Sequence, residues 1–171
     1  LLGPAAAGLE DRFRPTHFEG VATICCKLFT QCQPDIALFG EKDYQQLQVV
    51  TQMARDLDLP LVIHPVATIR EADGLAMSSR NRYLSDRDRA LAPTLHRVLQ
   101  ASATAIRNNT PVAEAVAAGQ RQIIQAGFEL DYMEGRHART LAPIAIITDG
   151  PVRLLLAARI SGTRLIDNVA V

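Results

Sequence analysis

The chain has 171 residues, enough for one average domain or two small ones. Its 18 Lys and Arg balance 18 Asp and Glu, which excludes a generally basic nucleic-acid binder but leaves room for a local cationic pocket. Hydrophobic residues make up 48% and charged residues 21%, the mix of a chain with a real core rather than a disordered one.

No apolar run approaches the ~20 residues of a membrane-spanning helix, so no membrane is expected as a partner, and the balanced charge makes nucleic acid an unexpected one as well. The start, Leu1-Leu2-Gly3-Pro4, has no Met and no charged segment leading into an apolar one. It reads as the middle of a longer protein, without a visible secretory signal. The thiols Cys25, Cys26 and Cys32 are odd in number and match no zinc or C-x-x-C spacing. They are expected to be reduced, packed as small hydrophobes, in a cytoplasmic protein.

Residues 1–16 are rich in Gly, Pro and charge and read as loop. From Phe18 to about Gln31, the residues Val21, Ile24, Cys25, Leu28 and Phe29 recur at helical spacing, and Pro34 ends that helix. The run Ile36-Ala37-Leu38-Phe39 before Gly40 predicts a buried strand. Asp43 is placed to cap a helix to about Leu57, with Leu47, Val50, Thr51 and Ala54 near one stripe. Pro60 stops it, and Leu61 to Val66 is the next strand. The order helix, strand, helix, strand predicts a right-handed crossover between parallel strands.

Ala67 to Asn81 is polar and reads as an ordered loop. Ser85 followed by Asp88 is a capping-box pattern for a helix to about Arg107, with Pro93 marking a kink or a later start. Thr110-Pro111 reads as a cap and first-turn proline for a helix to about Gln125, stopped by Gly127. Short strands are expected at 130–133, 144–147, 152–158 and 164–166. The turns Asp149-Gly150 and Ser161-Gly162 favour antiparallel pairing among them. The expected fold class is therefore α/β. Residues 1–69 form part of a parallel α/β unit, whose two strands lack neighbours, and residues 70–171 form a small α+β domain.

Two clusters carry candidate chemistry. Gly40-Glu41-Lys42-Asp43-Tyr44-Gln45-Gln46 follows the carboxyl end of a predicted parallel strand, where open α/β sheets bind ligands. Gly40 permits close backbone approach, the following helix start favours an anion, and Lys42 is a mobile positive charge suited to phosphate. Gln46, one turn after Asp43, can present an amide to the same ligand. A strand–turn–helix connection with solvated charges explains the same residues. The second cluster, Asp73-Gly74-Leu75-Ala76-Met77-Ser78-Ser79-Arg80-Asn81, places two hydroxyls and a guanidinium side by side, a set that can ring a polyphosphate. A turn followed by a helix cap explains the same residues. Neither the G-x-x-x-x-G-K-[ST] loop nor G-x-G-x-x-G is present.

His17 reads as a capping or surface residue, His64 as a satisfied structural histidine, and His96 and His137 as surface residues away from both clusters. Asp86 and Asp88 read as helix N-terminal charges. Arg12 and Arg14 fit either an anion site or a solvated loop.

Three ordered stretches together resemble the pantoate–β-alanine ligase (pantothenate synthetase) family. They are Arg14-Pro15-Thr16-His17-Phe18-Glu19-Gly20-Val21-Ala22-Thr23, Phe39 to Gln46, and Arg70 to Asn81. The tail Thr163-Arg164-Leu165-Ile166-Asp167-Asn168 resembles that family's C-terminus. The resemblance spans essentially the whole chain. It implies a nucleotidylyltransferase-type, Rossmann-like domain followed by a small C-terminal domain, usually in a homodimer. It also implies a ligase that uses ATP and Mg2+. Pantoate would attack the α-phosphate to give pantoyl adenylate and pyrophosphate, and β-alanine would then displace AMP to give pantothenate.

Carried over by motif, the ATP-binding residues are Gly40, Glu41, Lys42, Asp43, Ile69, Met77, Ser78, Ser79 and Arg80. Among them Lys42, Ser78, Ser79 and Arg80 are catalytic. Gln46 resembles a pantoate-binding glutamine, and no metal ligand is carried over. The family usually has glycine where Asp11 and Thr16 stand, and proline where Ala67 stands. Its histidine-rich motif and second pantoate-binding glutamine have no counterpart here. The chain is therefore expected to be the C-terminal portion of such a ligase, inactive alone. A non-catalytic dimerisation module and an adenylate-forming ligase for another small acid are the rival readings.

Overall fold

The computed structural model describes residues 3–171 and divides into two compact units. The first holds the residues up to Ala67 together with Arg139–Ala142, and the second holds Thr68–Ala138 and Pro143–Val171. The first unit is thus discontinuous in sequence.

In the first unit, single 3-10 turns at Pro4–Ala6 and Glu10–Arg12 lead into helix α1, His17–Cys32. Gln33 adopts the left-handed conformation (φ 48°) and donates its N–H to Phe29, closing the helix just before Pro34. Strand β1, Ile36–Gly40, is followed by a 3-10 turn, Glu41–Asp43, then helix α2, Tyr44–Asp56, and strand β2, Val62–Val66. The two strands run parallel, with Ile36 opposite Val62 and Gly40 opposite Val66. Helix α2 buries Tyr44, Leu47, Val49, Val50 and Ala54, and α1 buries Phe18 and Phe29.

The strand at Ile36 is not buried as expected. Its exposure alternates, leaving Ile36 and Leu38 at 59% and 67% exposed, with Val62 of β2 at 61%. A parallel sheet is buried only when both faces are covered. Here the Phe29 ring of α1 meets Phe39 edge-on, at 6.3 Å between centroids, on the half-buried face. His64 lies exposed in β2 rather than as a satisfied structural histidine, because it belongs to the same weakly covered sheet. The three thiols are free, as expected. Cys25 and Cys26 are half-buried, but Cys32, at the last position of α1, is exposed and is not packed as a hydrophobe.

The second unit begins with a tight hairpin at 69–77 and a 3-10 segment, Ser79–Tyr83. Pro93 divides the next helical stretch into α3, Asp86–Leu91, and α4, Thr94–Arg107. Ser85 caps α3. Its hydroxyl accepts the Asp88 N–H at 3.1 Å and donates to the Asp88 carboxylate at 2.8 Å. Helix α5 spans Val112–Gln125. Pro111, not Thr110, occupies its cap position, and no side chain caps it. Strands β3 (Glu129–His137), β4 (Val152–Ile160) and β5 (Thr163–Ala170) form an antiparallel sheet in that order. Ile160 pairs with Thr163 across Ser161 and Gly162, whose φ values of 45° and 82° suit a two-residue hairpin.

No strand forms at 144–147. Arg136 and Pro143 make only an isolated bridge, and Ile146 is 51% exposed before a 3-10 turn at Ile147–Asp149. An apolar run without a partner ladder does not become a strand. The core joins Leu95, Leu99 and Ile106 of α4 and Ile123 of α5 to Met133, Leu154 and Leu156 of the sheet. Truncating a side chain such as the fully buried Leu154 to alanine removes about 2–5 kcal/mol.

Candidate functional site

The first candidate segment sits at the carboxyl ends of β1 and β2. Gly40 has ordinary extended dihedrals (φ −67°, ψ 133°), and a Cβ built on it would meet nothing within 4 Å. Packing within the chain therefore does not require a glycine there, and the space above its backbone is open. Glu41 and Lys42 are half-buried in the following turn, and Asp43 is exposed. Asp43 occupies the cap position of α2 but makes no side-chain cap bond, unlike the expected arrangement. The preceding 3-10 turn carries the chain into the helix instead. Gln46 is half-buried on α2, whereas its neighbours Gln45 and Leu47 are buried.

Sequence spacing did not single out Gln45. Its side-chain oxygen accepts the Glu10 N–H at 2.9 Å, and its amide donates to the Ala5 carbonyl at 3.0 Å. It thereby holds the segment before α1 against α2. These partners lie 35 and 40 residues away, so no local pattern announces them. His17 begins α1 with its ring 5.0 Å from that of Phe18. Burial lowers its pKa below the usual imidazole value and the Arg14 charge adds to this, while Glu10 and Asp43 oppose it. Asp11 accepts the Leu9 N–H at 2.8 Å. Burial works to raise its pKa, but N–H donors of Gly8, Leu9 and Asp11 and the Gln45 amide outweigh it and hold it low.

The second candidate segment ends the 69–77 hairpin. Met77 donates its N–H to Ile69 at 2.9 Å, Glu71 donates to Leu75 at 2.8 Å, and Gly74 donates to Glu71 at 2.9 Å. Leu75 and Ala76 are buried, but Ile69 and Met77 are 64% and 52% exposed, and Ser79 and Arg80 are exposed beyond them. The Ser78 hydroxyl accepts the Arg80 N–H at 3.2 Å, so this serine caps the 3-10 segment. Asn81 donates to the Ala76 carbonyl at 3.1 Å.

Two ion pairs tie the hairpin down. Arg70 reaches both carboxylate oxygens of Asp167 on β5, at 2.7 and 2.9 Å. Arg89 of α3 pairs with Asp73, lowering the carboxyl pKa and raising the guanidinium's. His96 is not remote from the second cluster, as its sequence position suggested. Its Nδ1 is 3.5 Å from the Asp167 carboxylate, and its ring lies under Gly74. Burial lowers its pKa first and Arg70 second, against the pull of Asp167. The expected residues thus fall into two groups, Gly40–Asp43 with Gln46 in the first unit and Ile69 with Met77–Arg80 in the second.

The pantoate-beta-alanine ligase family model matches residues 2–170. This chain belongs to that family. Pantothenate synthetase of Nitrobacter hamburgensis is 62% identical over 169 residues, covering 99% of this chain and 60% of the relative. A Bradyrhizobium pantothenate synthetase gives the same values. Among solved ligases, pantothenate synthetase from Thermus thermophilus matches with a TM-score of 0.92 and 45% identity, over 99% of this chain and 61% of that one. The Francisella tularensis ligase, solved in complex with "Beta-gamma ATP" and β-alanine, matches at 0.72 and 28%, over 97% of this chain and 55% of that one. The chain therefore spans about 60% of the length of the curated ligases it matches.

Proposed function

We propose that this chain carries nucleotide- and pantoate-handling residues of an ATP-dependent ligase that joins pantoate to β-alanine through pantoyl adenylate. The observation that carries the reading is the second segment. Ile69 and Met77, bonded to each other, and the following Ser79 and Arg80 all present side chains to solvent from a braced hairpin. The unit's own packing does not employ these side chains, whereas an adenylate-forming site can. The complexed Francisella ligase, a family member, adds support.

In the first step the pantoate carboxylate attacks the α-phosphorus, and the bond to pyrophosphate breaks. Negative charge then gathers on the leaving pyrophosphate. Lys42 and Arg80 are the cations assigned to that charge, and their attraction grows as it develops, which lowers the barrier rather than only tightening binding. Ser78 shapes the turn that carries Arg80, and the Ser79 hydroxyl is a donor for phosphate oxygen. Gly40, Glu41 and Asp43 line the approach beside Lys42, with the open space over Gly40 admitting the nucleotide. Ile69 and Met77 flank the nucleotide, and the Gln46 amide binds pantoate. In the second step the β-alanine amine attacks the acyl carbon, and AMP leaves.

Among the described residues no three His, Cys, Asp or Glu side chains gather as metal ligands. Mg2+ belongs to the reading as the ion that accompanies ATP, since it is usually held by substrate phosphates, water and one or two carboxylates. The reading includes a homodimer, and a cytoplasmic enzyme suits the free thiols Cys25, Cys26 and Cys32. The test is made in the full-length ligase by following pyrophosphate release with ATP, Mg2+ and pantoate. Lys42→Ala and Arg80→Ala should each slow adenylate formation by about a hundredfold or more. Near-wild-type rates in both would overturn the assignment.

A further inference from the structure

The Met77–Arg80 segment is joined to the core by a relay of polar contacts. Met77 is bonded to Ile69, next to Arg70 in the chain. Arg70 places its fork on Asp167 at 2.7 and 2.9 Å. The same guanidinium donates across the hairpin to the Gly74 carbonyl at 3.0 Å and to the Asn168 carbonyl at 3.5 Å. Asp167 accepts the Asn168 N–H at 2.8 Å, and the Asn168 side chain accepts from Arg153 at 2.7 Å. Asp167, Asn168 and Arg153 are all buried, at 5%, 3% and 8% exposure. The relay thus runs from an exposed segment to the buried sheet.

A buried ion pair is a poor way to add stability, because desolvation offsets most of its attraction. Its advantage over an apolar contact is directional. A planar fork on a carboxylate fixes both the distance and the orientation of the strand that bears it. Asp131 makes the contrast. It also meets two arginines, Arg159 at 3.3 Å and Arg164 at 2.6 Å, but all three residues lie on β3, β4 and β5 and none is in the hairpin.

We propose that Asp167, acting through Arg70, is a positioning residue that sets the Met77–Arg80 segment for the nucleotide. The inference rests on the nucleotide-handling reading of that segment. It makes Arg70 and Asp167, 97 positions apart, one functional device.

The experiment compares Asp167→Asn, Arg70→Lys and Asp131→Asn in the full-length ligase. Arg70→Lys keeps the charge and removes the fork. Steady-state constants for ATP and pantoate are measured beside thermal unfolding. Asp167→Asn and Arg70→Lys should raise KM for ATP about tenfold or more, since small misplacements of a site are costly, with KM for pantoate nearly unchanged. Asp131→Asn should lower the unfolding temperature while leaving KM for ATP within about twofold. A rise in KM for ATP with Asp131→Asn matching that of the other two would overturn the proposal, and so would no rise in any. If Asp167→Asn does not fold, an unchanged KM for ATP in Arg70→Lys overturns it alone. Arg80→Ala separates the two levels. Normal turnover there removes the nucleotide-handling reading, whereas lost turnover there with a normal Arg70→Lys removes only the positioning role.

Discussion

Gly74 turns the 69–77 hairpin at φ +93°, and a Cβ built on it would come within 2.9 Å of His96 Cδ2. Two separate costs therefore fall on any larger residue, a left-handed backbone and a ring that must move. Gly74→Ala should destabilise the second unit by about 2–4 kcal/mol, combining backbone strain with overpacking. Urea unfolding measures it. A loss under about 1 kcal/mol would show that the hairpin and the His96 ring yield freely.

Gln45 should behave as a clasp for the segment before α1. Replacing it with alanine leaves the Glu10 N–H and the Ala5 carbonyl without their side-chain partner. The expected loss is about 2 kcal/mol, the usual penalty for stranding buried polar groups. Hydrogen exchange should quicken at residues 3–12 more than in α4 or β4. Uniform quickening across the chain would count against a local clasp.

His17 and His96 both have pKa values below the ordinary imidazole value, principally through burial. The unfolded chain therefore takes up protons that the folded chain resists. Stability should be full at pH values above the unfolded pKa of about 6.5 and should fall as pH drops from about 7 to 5. Asp11 and Asp73, held low, add a further loss of stability only as pH falls below their ordinary value of 3.8. His96→Gln should reduce the slope between about pH 7 and 5 without abolishing it, because His17 remains. Unfolding midpoints across that range decide the matter, and an unchanged slope would remove His96 from the explanation.

Ser85 closes the start of α3 with a hydroxyl that both accepts from and donates to Asp88. Ser85→Ala should cost about 1 kcal/mol, and Ser85→Thr should restore most of it. Thermal unfolding of the three proteins provides the comparison. Equal stability of all three would mean that the cap contributes nothing here.

The chain order of α1, α2, α4 and α5 and the turns at Gly127 and Ser161-Gly162 were legible from local patterns. Steric preference at single residues and 3.6-residue periodicity act over a few positions, so they survive in the sequence. The family motifs likewise located Lys42, Gln46 and the 77–80 segment as stretches of chain. Periodicity could not say whether Ile36–Phe39 would be covered, because cover comes from other elements. Nor could it show that Ile144–Ile147 would find no ladder.

The second segment shows the division most clearly. Its residues were readable in order, and a turn followed by a helix cap was one of the two readings of the cluster. Only the tertiary structure decided that Ser78 caps while Ser79 and Arg80 remain exposed. It alone joined Arg70 to Asp167 and set His96 beneath Gly74. Hydrogen bonds and ion pairs act over about 3 Å in space and are indifferent to separation along the chain. Local order was therefore written in the sequence, while the bracing of the 77–80 segment depended on which distant residues folding brought within that distance.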